Sequence, residues 1–143
     1  LVADAILANR PDAVIDGVDI SHEMIAKAAA KGIYADLMVA DLTADFSHLP
    51  NDYAAIVSAG TFTHGHLGPG PLRALIDHCA AGAIAALGVN SLHFAAHDFQ
   101  PVLDGLVNDG RISEPQLTEV PIYDGRNADH AGDMAFVLTF TVP

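Results

Sequence analysis

Basic residues are scarce in this sequence: 6 Lys+Arg stand against 18 Asp+Glu, for a formal charge of −12 at pH 7. They are scattered as Arg10, Lys27, Lys31, Arg73, Arg111 and Arg126, and only Lys27 and Lys31 lie close in sequence. Such a field repels a phosphate backbone, so nucleic acid is not the expected partner. Cysteine is represented by Cys79 alone, which rules out an intramolecular disulfide framework and any CxxC metal site and fits a reducing compartment. Long uninterrupted apolar runs are missing as well. Residues 78–97 carry no Asp, Glu, Lys or Arg, but Gly82, Gly88, Asn90, Ser91 and His93 interrupt them, and the apolar part, residues 79–89, is too short to cross a bilayer. No secretory pattern opens the chain. The expectation is a cytoplasmic protein with no membrane partner.

What is present is apolar. Hydrophobic residues make up 51% of 143 residues, well above a disordered composition, and a chain of this length folds as one domain burying about 68–70% of its unfolded surface. Residues 1–9 read as the tail of a helix closed by Arg10-Pro11. Residues 13–20 are short, β-branched and end in Asp19-Ile20, which suits a strand buried on both faces. Ser21 then offers an N-cap for a helix to Lys31, stopped by Gly32, with Glu23 and Lys27 spaced as an i,i+4 pair.

The alternation continues with strands expected at residues 35–41 and 53–58 and a Gly/Pro-rich segment at 60–71. A helix follows from Pro71, with Leu72, Leu75, Ile76 and Cys79 on one stripe and Gly82 ending it. Residues 83–89 read as a fourth strand, and Asp98 as the cap of a helix with Pro101 in its first turn and Val102, Leu103, Leu106 and Val107 inward. Residues 117–123 and 134–142 lack an intervening helix and read as an antiparallel hairpin. The sum is an α/β fold: a Rossmann-like three-layer sandwich with a mostly parallel sheet and a C-terminal antiparallel hairpin.

In open sheets of this kind ligands bind at the carboxyl ends of the strands, here Asp19-Ile20, Asp41-Leu42 and Ser58-Ala59-Gly60. Asp19 closes a strand just before a helix, where a carboxylate can accept from both hydroxyls of a ribose; it can equally serve the helix dipole behind Ser21. Asp41, 22 positions later, sits where an acidic side chain can address an adenine edge, or is a plain loop aspartate.

The run VIDGVDISHEMIAKAAAKGIYADLMVADL, followed by YAAIVSAGTFTHGHLGPGPLRALIDHCAAGAIAALGVN, resembles the class I S-adenosylmethionine-dependent methyltransferases over nearly the whole chain. Its strongest part is GVDIS-x-EMI-x-x-A, similar to that family's second motif. The resemblance implies S-adenosylmethionine (SAM) as cofactor: Asp19 holding the ribose hydroxyls, Ile20 and Met24 flanking the adenine, and Asp41-Leu42 at its amino edge. Ser58-Ala59-Gly60 is similar to the family's fourth motif, beside the methionine portion. Within the family, VSAGTFTHGHLGPGPL is similar to a small-molecule type that includes methyltransferase-like proteins of the Williams-Beuren region. The family's glycine-rich loop has no counterpart in the sequence, so the resemblance implies a single methyltransferase domain over residues 1–143 whose first strand and glycine loop would precede Leu1.

For the transfer itself, His64 and His66 are the candidate catalytic bases, since imidazole titrates near neutral pH. Their His-x-His spacing is equally that of two metal ligands or of solvent-facing loop residues, and no further ligand is assignable, so no metal site is expected. His93 and His97 follow the fourth strand and either line the acceptor pocket or lie on mobile surface. Cys79, on an apolar stripe, reads as a buried structural thiol. The expected acceptor is a small molecule, bordered by residues 60–71 and 124–133. Two alternatives stand beside this reading. One is an NAD-dependent oxidoreductase-like Rossmann domain, although no Tyr-x-x-x-Lys follows Ser58; the other is a degenerate, non-catalytic, cofactor-free domain.

Overall fold

The computed structural model describes residues 2–122 and 133–143. The chain divides into two compact units, Leu1–His48 and Leu49–Pro143.

The first unit runs α1 (Val2–Asn9), β1 (Asp16–Asp19), α2 (His22–Ala29) and β2 (Asp36–Val39). β1 and β2 pair in parallel, Gly17 opposite Leu37 and Val18 opposite Met38, and α2 is the crossover that a parallel pair requires. The cap is the expected one: Ser21 Oγ accepts the Met24 N–H at 3.3 Å. Lys27 and Glu23 meet at 2.7 Å, and Lys31 pairs with Asp4 of α1. Gly17 has a packing reason, because a Cβ there would stand 2.8 Å from Leu37 Cδ2 and 3.2 Å from the Tyr34 ring. The expectation of burial on both faces fails. Val18 is 40% and Val14 83% exposed, since two four-residue strands and one helix have too few side chains to cover both sides of β1.

The second unit contains β3 (Tyr53–Phe62), α3 (Leu72–Ile76), β4 (Cys79–Asn90), α4 (Ser91–Ala96), α5 (Phe99–Asn108), β5 (Gln116–Pro121) and β6 (Met134–Thr141). Its sheet has the order β3-β4-β6-β5, with β3 and β4 parallel and the other two ladders antiparallel. The sheet is therefore mixed rather than mostly parallel: the expected hairpin is present, and it inserts β6 directly against β4, so both of its ladders run antiparallel.

Two element boundaries also differ. α3 ends at Ile76 and Cys79 opens β4, because the Tyr53 N–H takes the His78 carbonyl at 3.0 Å and strand pairing begins at Tyr53 with Cys79. Gly82, at φ +83°, is a kink inside that strand instead of a helix stop, and its N–H donates to the Val142 carbonyl at 2.7 Å. Cys79 is half-buried, and burial pushes its thiol pKa up. Asp98 occupies the N-cap position of α5 but accepts no hydrogen bond from that helix with its side chain.

The core lies between the sheet and α5. Alternate residues of β4 (Ala83, Ala85, Leu87, Val89) turn inward against Phe99, Leu103 and Leu106, with Phe62, Leu72, Ile76 and Leu138 closing the cluster. Phe62 and Phe99 meet edge to face, centroids 6.0 Å apart. Arg73–Asp109 and Arg111–Asp77 bridge the surface around α3 and α5, but such exposed pairs contribute about 0–1 kcal/mol each. No described helix is long and apolar enough to cross a membrane. Leu103 is fully buried, so Leu103→Ala should destabilise the chain by about 2–5 kcal/mol in urea unfolding; a loss under about 1 kcal/mol would show that α5 does not carry the core.

Candidate functional site

In the first unit the chemistry gathers where β1 turns into α2. Asp19 ends β1, and its Oδ1 accepts the Ser21 N–H at 2.8 Å while its carbonyl accepts the Ala40 N–H at 3.1 Å. The carboxylate is thus fixed between a strand end and a helix N-terminus, with Oδ2 uncommitted among the described residues. Beside it stand side chains that gain nothing from water: Ile20 is 64% and Met24 50% exposed. A cavity of about 160 Å³ opens at this corner, lined by Gly17, Val18, Asp19, Met24, Tyr34 and Leu37 among others. An anchored carboxylate next to bare apolar surface suits a ligand with vicinal hydroxyls and a flat apolar body. Tyr34 and Leu37, which sequence reasoning did not single out, enter the site because Gly17 leaves room for them; the signal was a glycine inside a β-branched run.

Asp41 lies two residues past β2 and is exposed, with Leu42 half-buried. Asp41 Oδ1 accepts from both the Thr43 hydroxyl at 2.6 Å and the Thr43 N–H at 2.8 Å. Those two bonds hold its carboxyl below the usual aspartate range.

In the second unit, Ser58-Ala59-Gly60 does not end a strand as expected. β3 continues to Phe62 because Gly60, at φ +79°, lets the chain bulge after Ser58 and resume pairing at Phe62 with Val89. Gly88 lies against that bulge, where a Cβ would meet the Ser58 carbonyl at 3.4 Å and Ala59 Cα at 3.6 Å. Ser58 Oγ is buried and has no hydrogen-bond partner among the described residues. An unmade bond of this kind costs about 1–3 kcal/mol, and a bulge beside it is a common way of aiming a group at a ligand.

The loop after β3 carries His64 and His66, both exposed. The structure separates their surroundings. The His64 ring packs edge-on against His93, centroids 5.5 Å apart, whereas the His66 ring has no such neighbour among the described residues. His93 is 2% exposed, not a mobile surface residue. Asn90, which ends β4, caps α4 by accepting the His93 N–H at 3.0 Å. His93 Nε2 lies 2.9 Å from the Leu67 carbonyl. A carbonyl only accepts, so Nε2 carries the proton and Nδ1 is a lone pair in the neutral ring. That Nδ1 is buried without a partner. His97 packs 4.2 Å from the same ring. Sequence alone left His93 undecided, since its anchor is a main-chain carbonyl distant in sequence. No group of three or more His, Cys, Asp or Glu among the described residues has the arrangement of a metal site. The segment 124–132 expected to border the acceptor lies outside the described residues.

No protein-family model matches the sequence, and no curated protein matches it. Solved structures do. A plantazolicin methyltransferase in complex with a pentazolic desmethylPZN analog and SAH is 13% identical with a TM-score of 0.65, covering 97% of this chain and 71% of that one. A TehB-like SAM-dependent methyltransferase from Corynebacterium glutamicum is 22% identical with a TM-score of 0.61, covering 91% and 68%. An rRNA methylase from Streptococcus thermophilus is 14% identical with a TM-score of 0.54, covering 90% and 73%. What is shared at these identities is the fold, the Rossmann-like α/β fold of SAM-dependent methyltransferases that the sequence resemblance implied.

Gly60→Ala places a Cβ at positive φ and should destabilise the chain by about 1–2 kcal/mol in urea unfolding. An unchanged midpoint would show that the β3 bulge does not depend on glycine.

Proposed function

We propose that this chain is a class I SAM-dependent methyltransferase acting on a small-molecule acceptor. The observation that carries this reading is the β1–α2 corner, where Asp19 is anchored through Ser21 and flanked by exposed Ile20 and Met24, on a fold shared with methyltransferases. When bound, SAM supplies an electrophilic methyl group on sulfur. Asp19 Oδ2 is then the acceptor for the ribose hydroxyls, Ile20 and Met24 cover the adenine faces, and the Asp41-Leu42 backbone meets its amino edge. In the second unit, the sequence resemblance assigns Ser58-Ala59-Gly60 to the methionine portion.

Methyl transfer is an in-line displacement, and holding the acceptor aligned can supply roughly 7–11 kcal/mol of the barrier. Where the acceptor must lose a proton, His64 or His66 takes it. The −12 charge supports a small molecule rather than nucleic acid as acceptor. The single cysteine supports a cytoplasmic setting.

Isothermal titration with SAM, S-adenosylhomocysteine and NAD tests the reading: the first two should bind. Asp19→Ala removes charge-assisted hydrogen bonds and should raise the Kd for SAM about ten- to a hundredfold. Binding of NAD alone would overturn the assignment in favour of an oxidoreductase-like domain, and an unchanged Kd in Asp19→Ala would remove Asp19 from the ribose.

A further inference from the structure

The proposed function uses His64 and leaves His93 without a task. His93 is nonetheless held at several points. Its main-chain N–H is held by Asn90 Oδ1 at 3.0 Å, its Nε2–H by the Leu67 carbonyl at 2.9 Å, and it is 98% buried by the complement of its 2% exposure. One ring nitrogen is satisfied and the other, Nδ1, has no partner among the described residues. Phe99 packs against the ring 5.6 Å away at 66° and offers no donor.

Among the described residues, two side chains packed against the His93 ring carry donors, His64 and His97, and their geometry differs. An in-line N–H···N bond of about 2.9 Å between two imidazoles puts their ring centres about 5 Å apart, because each nitrogen lies about 1.1 Å from its own ring centre. His97, with centroids at 4.2 Å and a 50° tilt, is too near for that arrangement. His64, at 5.5 Å and 85°, stands at close to that separation. His64 is also exposed and sits on the loop that Leu67 fastens to His93.

We propose that His93 is the positioning residue of His64: its buried Nδ1 is the acceptor into which a His64 ring N–H turns, so that the two imidazoles form a dyad at the head of α4. The use of this dyad rests on reading His64 as the base. As the acceptor's lone pair forms the bond to carbon and the C–S pair is left on sulfur, the acceptor's proton passes to one nitrogen of His64. The other nitrogen of the resulting imidazolium keeps its N–H, which donates to His93 Nδ1. No proton moves between the rings, and His93 stays neutral with its proton on Nε2 against the Leu67 carbonyl. This is the arrangement of a base oriented by a third group, with an imidazole as the orienter.

The test is a through-hydrogen-bond ¹⁵N–¹⁵N coupling experiment on the uniformly labelled chain in mildly acidic solution without SAM. The expected result is a cross-peak joining a His64 ring nitrogen to His93 Nδ1, lost in His64→Ala. His93→Gln retains an amide donor for the Leu67 carbonyl but lacks the Nδ1 acceptor. It should therefore keep the amide spectrum of residues 63–71 and lose the dyad cross-peak, a separation that a purely structural histidine would not show. A cross-peak from His97 instead of His64, or none in the wild-type chain, overturns the proposal. Because the coupling is read without SAM, its absence refutes the dyad whatever the SAM titration shows, and failure of that titration leaves the dyad standing.

Discussion

The second unit hangs on β4. β4 is paired on both edges, in parallel to β3 and antiparallel to β6, so its position cannot shift without breaking two ladders at once. Its inward face is built from Ala83, Ala85, Leu87 and Val89, and the small residues at its start let larger side chains from α3 and α5 approach closely. Both chemical features of this unit are set by that strand. The β3 bulge with Ser58 lies against Gly88, and Asn90 at the end of β4 caps the helix that carries His93. A residue that packs here also aims.

Much of this was legible along the chain because it is local. The Ser21 cap, the Glu23–Lys27 pair and the terminal hairpin depend on residues near one another in sequence, and the order of strands and helices follows from them. Where tertiary pairing decided, the reading failed. Cys79 continues a helical stripe by spacing, yet the ladder to Tyr53 draws it into β4. No helix was expected at residues 91–96, where α4 forms with Asn90 closing its first turn. Val18 looked like a doubly buried strand residue, but burial on the second face needs neighbours that β-branched composition does not guarantee.

The candidate site divides along the same line. Asp19 was identifiable because a carboxylate between a strand and a capped helix is a sequence pattern, and the hydrogen bond to Ser21 is two residues long. Ser58 was singled out as a strand end, and its setting was misjudged: only the φ of Gly60 reveals a bulge where a strand end was expected. The histidines were hardest, since His64 and His66 look equivalent in the sequence. Their difference arises from His93, whose burial depends on a carbonyl 26 residues away. Electrostatics separate the two matters as well: the acidic surplus is a property of the whole chain and bears on partners, while the lowered pKa of Asp41 comes from Thr43 alone.

The hydrogen bond from His93 reaches the loop through a main-chain carbonyl, not a side chain. The hydrogen bond itself does not read the side chain at residue 67, although Leu67 also packs against the core, and exposed side chains of the loop such as His66 can vary while the fastening stays. A segment anchored in this manner can drift in sequence, and so in what it recognises, without first losing its shape. In an acidic protein on a widely shared fold, that separates the inheritance of the scaffold from the inheritance of substrate preference.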